Sequence, residues 1–163
     1  MQPDDGLAGE VERAFAAGSY DAALARILIA FAADSGTVHL LGGDGVLHLK
    51  AASAGIPPFV IETVRRVPVG KGMAGLAVER GEPVNSCNIQ TDATGDVRPG
   101  ARATGLQGSI VVPLLLDGRP IGAVGIANHR ERTFTDQEAA ALLEAGRVLA
   151  RLSAAAGEGE ARE

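Results

Sequence analysis

The sequence predicts one domain of the α+β class, and three observations carry that prediction. The chain has 163 residues, the size at which a single domain buries most of its apolar surface. Hydrophobic residues make up 46% and charged residues 21%, a globular balance that argues against bulk disorder and repeat architectures. Finally, the apolar periodicity runs helical, then alternating with helical interruptions, then helical again.

Composition also narrows function. There is no tryptophan, one tyrosine and four phenylalanines, so the core is built from aliphatic side chains and offers little surface for stacking bases. The net charge of −5 leaves no default basic face for phosphates, and no nucleic-acid partner is expected. The start, Met1-Gln2-Pro3-Asp4-Asp5-Gly6, lacks a basic segment followed by an apolar run, and no stretch supplies the roughly 18 uncharged apolar residues of a membrane span. A cytoplasmic chain with no membrane partner is therefore expected. The lone Cys87 excludes an internal disulfide and, by itself, a four-ligand zinc site.

Residues 1–6 and 154–163 are polar or low in complexity and are expected to be flexible ends around a single domain at 7–153. Leu7–Ala17 and Tyr20–Ala33 read as helices broken at Gly18-Ser19, with Ala23, Leu24, Ile27, Leu28 and Phe31 forming one apolar face. Ser35–Leu41 and Val46–Ala52 alternate as strands around Gly42-Gly43-Asp44-Gly45, a hairpin turn. A symmetric register on that turn opposes Leu41 to Val46 and His39 to His48. A Gly55 and Pro57-Pro58 break precedes a short segment, Phe59–Val64, and a strand at Arg65–Val67.

A Gly-rich turn then opens a helix at Met73–Arg80, stopped by Gly81 and followed by a strand at Val84–Ile89. Residues 90–106 show no periodicity and read as a long loop of functional type. Gly108–Leu116 and Pro120–Asn128, joined at Asp117-Gly118, are the most apolar strands and are expected to be central. Thr135 and Glu138 form a capping box for a last helix running to about residue 153.

Residues 66–128 resemble the GAF domain family, most closely a stand-alone bacterial GAF domain. The likeness rests on Val67-Pro68-Val69-Gly70-Lys71-Gly72-Met73-Ala74-Gly75, then Arg80-Gly81-Glu82-Pro83-Val84, then Ser109–Leu114 and Gly118–Gly125, in that order. It extends over about residues 17–152. It implies a central antiparallel β-sheet with the N- and C-terminal helices on one face and a ligand-type pocket on the other. The pocket and its lid are expected to involve Met73, Ser86, Cys87, Asn88, Asp92, Arg98, Arg102 and Ser109, with Arg98 and Arg102 suited to clamping an anion.

Family members bind cyclic nucleotides, tetrapyrroles, haem or small metabolites, and some bind nothing, so fold names no ligand or cofactor. No stretch matches the Asn-Lys-Phe-Asp-Glu signature of the cyclic-nucleotide binders, and Cys87 precedes Asn88 where bilin-binding members have Cys-His. A related branch reduces free methionine sulfoxide with several cysteines. One thiol cannot complete that disulfide relay, and no enzyme is expected.

The individual residues point mainly to structure. Burial is the commoner state of a free cysteine, so Cys87 is expected to be structural. Gly70–Gly75 lacks the Walker pattern and reads as helix capping. His39, His48 and His129 are assigned packing or surface roles rather than metal ligation. The functional expectation is a small-molecule sensor or signalling module with no output domain, acting through a partner protein or a homodimer of its Ala-rich terminal helices. A ligand-free interaction module is the alternative, and a Cys87-based reductase or redox sensor is less favoured.

Overall fold

A computed structural model describes residues 3–91 and 104–157 of the chain. The helices are α1 (Pro3–Phe31), α2 (Pro58–Val64), α3 (Gly72–Arg80) and α4 (Asp136–Ala155). The strands are β1 (Ser35–Leu41), β2 (Val46–Ala52), β3 (Arg66–Pro68), β4 (Val84–Ser86), β5 (Ser109–Leu116) and β6 (Arg119–Ala127). They form one antiparallel sheet in the order β3-β2-β1-β6-β5-β4. The α+β class and the antiparallel sheet expected from the sequence are both present.

α1 begins at Pro3 rather than Leu7, and the expected break is there: Gly18 and Ser19 leave helical geometry, with Ser19 at φ 62°. Arg26 Nε donates to Glu10 Oε1 at 3.1 Å. A continuous helix would hold these residues about 24 Å apart at 1.5 Å rise each, so the break folds the two arms back side by side. Phe15 and Tyr20 clasp the bend edge to face, with ring centres 5.0 Å apart. Gly6–Phe31 reaches the length and mean hydropathy, 1.4, of a membrane-crossing helix. Here it is bent, and Val11, Ala23, Leu24 and Ile27 are buried in the core.

That core lies between one sheet face and the helices. Alternation sends Val38, Leu40, Ile110, Val112, Leu114, Val124 and Ile126 to this side, against Leu142, Ala145 and Leu149 of α4. The terminal helices are tied to each other by Arg151 and Glu12 at 3.1 Å. The capping box forms as the sequence predicts, with Glu138 N–H donating to Thr135 Oγ1 and Thr135 N–H to Glu138 Oε1.

Three turns follow from local chemistry, one with a register the symmetric expectation misses. Asp117 and Gly118 both have positive φ, giving the two-residue β5-β6 turn. Gly81 stops α3 in the left-handed conformation. In the first hairpin Gly45 N–H donates to the Gly42 carbonyl and Gly45 takes φ 76°, a three-residue loop ending in a left-handed glycine. Leu41 therefore pairs with Leu47, Leu40 with His48 and His39 with Leu49. A shift of one residue turns His39 and His48 to opposite faces, so the expected histidine pair does not form. β4 also ends at Ser86, three residues earlier than expected.

One side chain joins the layers at the end of the sheet. Arg132 donates to the Phe31 carbonyl at 2.7 Å, to Asn128 Oδ1 at 2.8 Å and to Glu138 Oε2 at 2.9 Å. Its guanidinium also lies 4.2 Å from the centre of the Phe134 ring. Arg132→Ala is expected to lower stability by about 2–3 kcal/mol in urea denaturation, since the buried acceptors lose their donors together. Arg132→Lys is expected to restore only a minor part, because an ammonium lacks the planar fork. Equal stability of Arg132→Lys and the parent would refute this account.

A cavity on the second face of the sheet

On the other face the same strands carry small side chains. Ser35, Ala127 and Ser109 stand in one cross-strand row, and Thr37, Gly125 and Val111 in the next. Neither row projects far, so the floor is low. Bulk at Gly125 would crowd its neighbour, because a Cβ there would lie 3.0 Å from Val111 Cγ2. Above the floor stand α2, the 54–57 connection, the first turn of α3 and the side chains of Ile89 and Leu106. A cavity of about 520 Å³ remains between floor and roof. Its wall is largely aliphatic, from Ile56, Val60, Val64, Met73 and Leu106.

Most polar groups in the floor already have partners. Ser109 Oγ donates to the Ile126 carbonyl at 3.2 Å. Ser35 Oγ lies 3.1 Å from Ser53 Oγ, which accepts from Gly36 N–H. His39 is 3% exposed, and its Nε2 lies 2.8 Å from the Val64 carbonyl oxygen. A carbonyl only accepts, so Nε2 carries the proton. Burial pushes the His39 pKa below its ordinary 6.5, against the Val64 carbonyl, which favours the imidazolium; the charge of His48 pushes it down further. The ring is therefore a neutral imidazole with Nδ1 as an acceptor.

Among the described residues, charge is confined to the rim. Lys71, Asp34 and His129 line the opening with exposed side chains. The Asp34 carboxyl is held below 3.8 chiefly by the His129 backbone N–H at 2.8 Å, with help from the Asn128 amide.

The expected site residues divide. Met73 and Ser109 line the cavity. Ser86 is buried and pairs with Ser109 across β4 and β5, one strand beyond the floor. Cys87 is exposed, correcting the expectation of burial, because the strand ends before it. Its carbonyl accepts from Arg132 N–H. Asn88 turns outward, donating to Glu131 Oε2 at 2.7 Å and accepting from Gln90 N–H. Asp92, Arg98 and Arg102 lie outside the described residues. Sequence reasoning missed Thr37 as a wall residue and gave His39 no cavity role. The usable signal was Gly45, whose place at the end of the hairpin loop sets the register.

The family model for the GAF domain matches residues 20–152. No curated protein matches the chain. Among solved structures, the GAF domain of an Acinetobacter phosphoenolpyruvate-protein phosphotransferase is 21% identical with a TM-score of 0.76, covering 94% of this chain and 93% of that one. The corresponding domain from Coxiella burnetii is also 21% identical, with a TM-score of 0.75 and coverage of 94% and 96%. The free methionine-R-sulfoxide reductase from Neisseria meningitidis, in complex with its substrate, is 22% identical with a TM-score of 0.69, covering 91% and 82%. That last likeness corrects the expectation that the chain is not an enzyme, because the same fold serves as a reductase in a neighbour. At this identity the likeness concerns the fold alone.

Burial of a neutral His39 has a pH consequence. Unfolded, the imidazole takes up a proton that the folded protein resists. Its contribution is therefore fully present above about pH 6.5 and falls as the pH drops below that value. The lowered carboxyls of Asp34 and Glu138 act in a separate, more acid window. Urea unfolding is expected to show lower stability at pH 5.5 than at pH 7.5, with the difference reduced in His39→Gln. An undiminished difference in that variant would rule out His39 as the cause.

Proposed function

The chain belongs to the GAF domain family, a sensing and signalling fold, and from that premise we propose that it binds a small molecule in the cavity beneath α2. Occupancy passes to a partner protein or to a second copy of the chain through α1 and α4. The observation that carries this reading is the open cavity of about 520 Å³, within the range of small-molecule sites. In a ligand-free interaction module the protein's own Met, Leu and Val side chains would fill that space. Here Met73 stands in the wall, and the floor residues are too short to close it.

The dimer part rests on the helical layer. α1 and α4 share one face of the sheet, and Ile29 of α1 is 64% exposed, a large apolar side chain on a surface rich in alanine. A symmetric pairing of two copies would cover it.

Native mass spectrometry of protein purified from its own host is expected to detect a retained small molecule. Ala74→Phe, which puts a ring into the wall, is expected to lose it while keeping the parent circular dichroism. Retention of the same mass by Ala74→Phe would place the ligand elsewhere. For the dimer, sedimentation velocity is expected to show a two-copy species that Ile29→Glu weakens at least tenfold, about 1.4 kcal/mol. A parent protein that stays monomeric at high micromolar concentration would exclude this assembly.

A further inference from the structure

The cavity distinguishes its polar atoms by what they have left to offer. Ser109 gives its hydroxyl proton to a carbonyl, Ser35 and Ser53 bond to each other, and His39 gives its Nε2 proton to Val64. His39 Nδ1 has no hydrogen-bond partner among the described residues. His39 lines the cavity, and Nδ1 is the ring nitrogen that the Val64 carbonyl leaves unshared. Thr37 stands two residues away on the same face of β1, with a hydroxyl that bonds to no described residue. Among the described residues, no charged side chain lies inside the wall, since Lys71, Asp34 and His129 are exposed at the rim.

From this arrangement we propose that His39 is the specificity-determining residue of the cavity, its Nδ1 accepting a hydrogen bond from an N–H or O–H of an uncharged, apolar-bodied ligand. The proposal rests on the reading of the cavity as a ligand site and adds the chemistry it selects. An aliphatic wall takes the body of such a molecule, and the unshared Nδ1, with the Thr37 hydroxyl beside it, fixes its orientation. A molecule of the same shape without the donor leaves Nδ1 dry and unpaired, which costs affinity. An anion loses its hydration without meeting an interior cation.

Three probes with one naphthalene body separate these effects: 2-naphthol, 2-methoxynaphthalene and 2-naphthoate, titrated calorimetrically at pH 7.5. 2-Naphthol is expected to bind about tenfold more tightly than 2-methoxynaphthalene, the equivalent of one neutral hydrogen bond, and 2-naphthoate is expected to bind more weakly than 2-naphthol. In His39→Phe the ratio of the first two is expected to fall to about one.

Should that variant fail to fold, 15N NMR of the parent protein decides: the His39 Nδ1 resonance is expected to move with 2-naphthol and to stay with 2-methoxynaphthalene. Equal binding of the first two probes, or tightest binding of 2-naphthoate, would overturn His39 as the selecting residue and leave the cavity reading standing. Failure of all three to bind the folded protein would overturn both.

Discussion

The buried guanidinium of Arg132 sets the terms for the whole end of the molecule on which the cavity opens. Its side chain is 11% exposed, so each donor it carries must find an acceptor inside the protein. The acceptors come from three elements: the last turn of α1, the end of β6 and the first turn of α4. Its backbone adds a fourth by donating to Cys87, just past β4. Gly108 must be bare for the same reason, because a Cβ there would lie 2.7 Å from the Arg132 backbone. Helical layer and sheet are thus fixed relative to one another where Asp34 and His129 form the rim.

With that end fixed, the two faces of the sheet can differ in how fully they are packed. Toward the helices, β1, β5 and β6 present branched side chains in a filled core, the arrangement that stabilises most per residue. Toward the cavity they present serine, threonine, alanine and glycine beside Val111 and His39. Unfilled volume of this kind forgoes dispersion contacts and costs stability. The helix-side core offsets that cost, which leaves the space open for the binding proposed above.

What was legible in the sequence was local. The Thr135–Glu138 capping box, the Asp117-Gly118 turn and the Gly81 stop each depend on a few adjacent residues, and all three formed. What failed depended on where a turn or strand ends, or on partners distant in sequence. The one-residue shift in the first hairpin came from Gly45 taking the left-handed position, and it moved His48 to the helix side, where Asp44 holds it at 2.9 Å. Cys87 was expected to be structural because free cysteines are commonly buried, but the strand stops one residue before it and the side chain is exposed. Arg132 carried no sequence signal, since its acceptors include Phe31, 101 positions earlier. The cavity wall was legible only at Met73 and Ser109; Thr37 and His39 depended on a register that composition cannot supply.

β1 is where the two faces meet in one backbone. Thr37 and His39 look into the cavity, and Val38 and Leu40 are packed in the core that holds α1 and α4. His39 also binds the carbonyl of Val64, the last residue of α2, so the roof is fastened to the same strand. A ligand shifts an equilibrium only as far as it contacts two conformations differently. In the proposed reading, contacts at Thr37 and His39 would act where movement of the strand is least separable from the helices, because a close-packed core cannot absorb a displaced Val38 without its neighbours moving. The proposed route from cavity to terminal helices is therefore two residues long in sequence and crosses one sheet thickness in space.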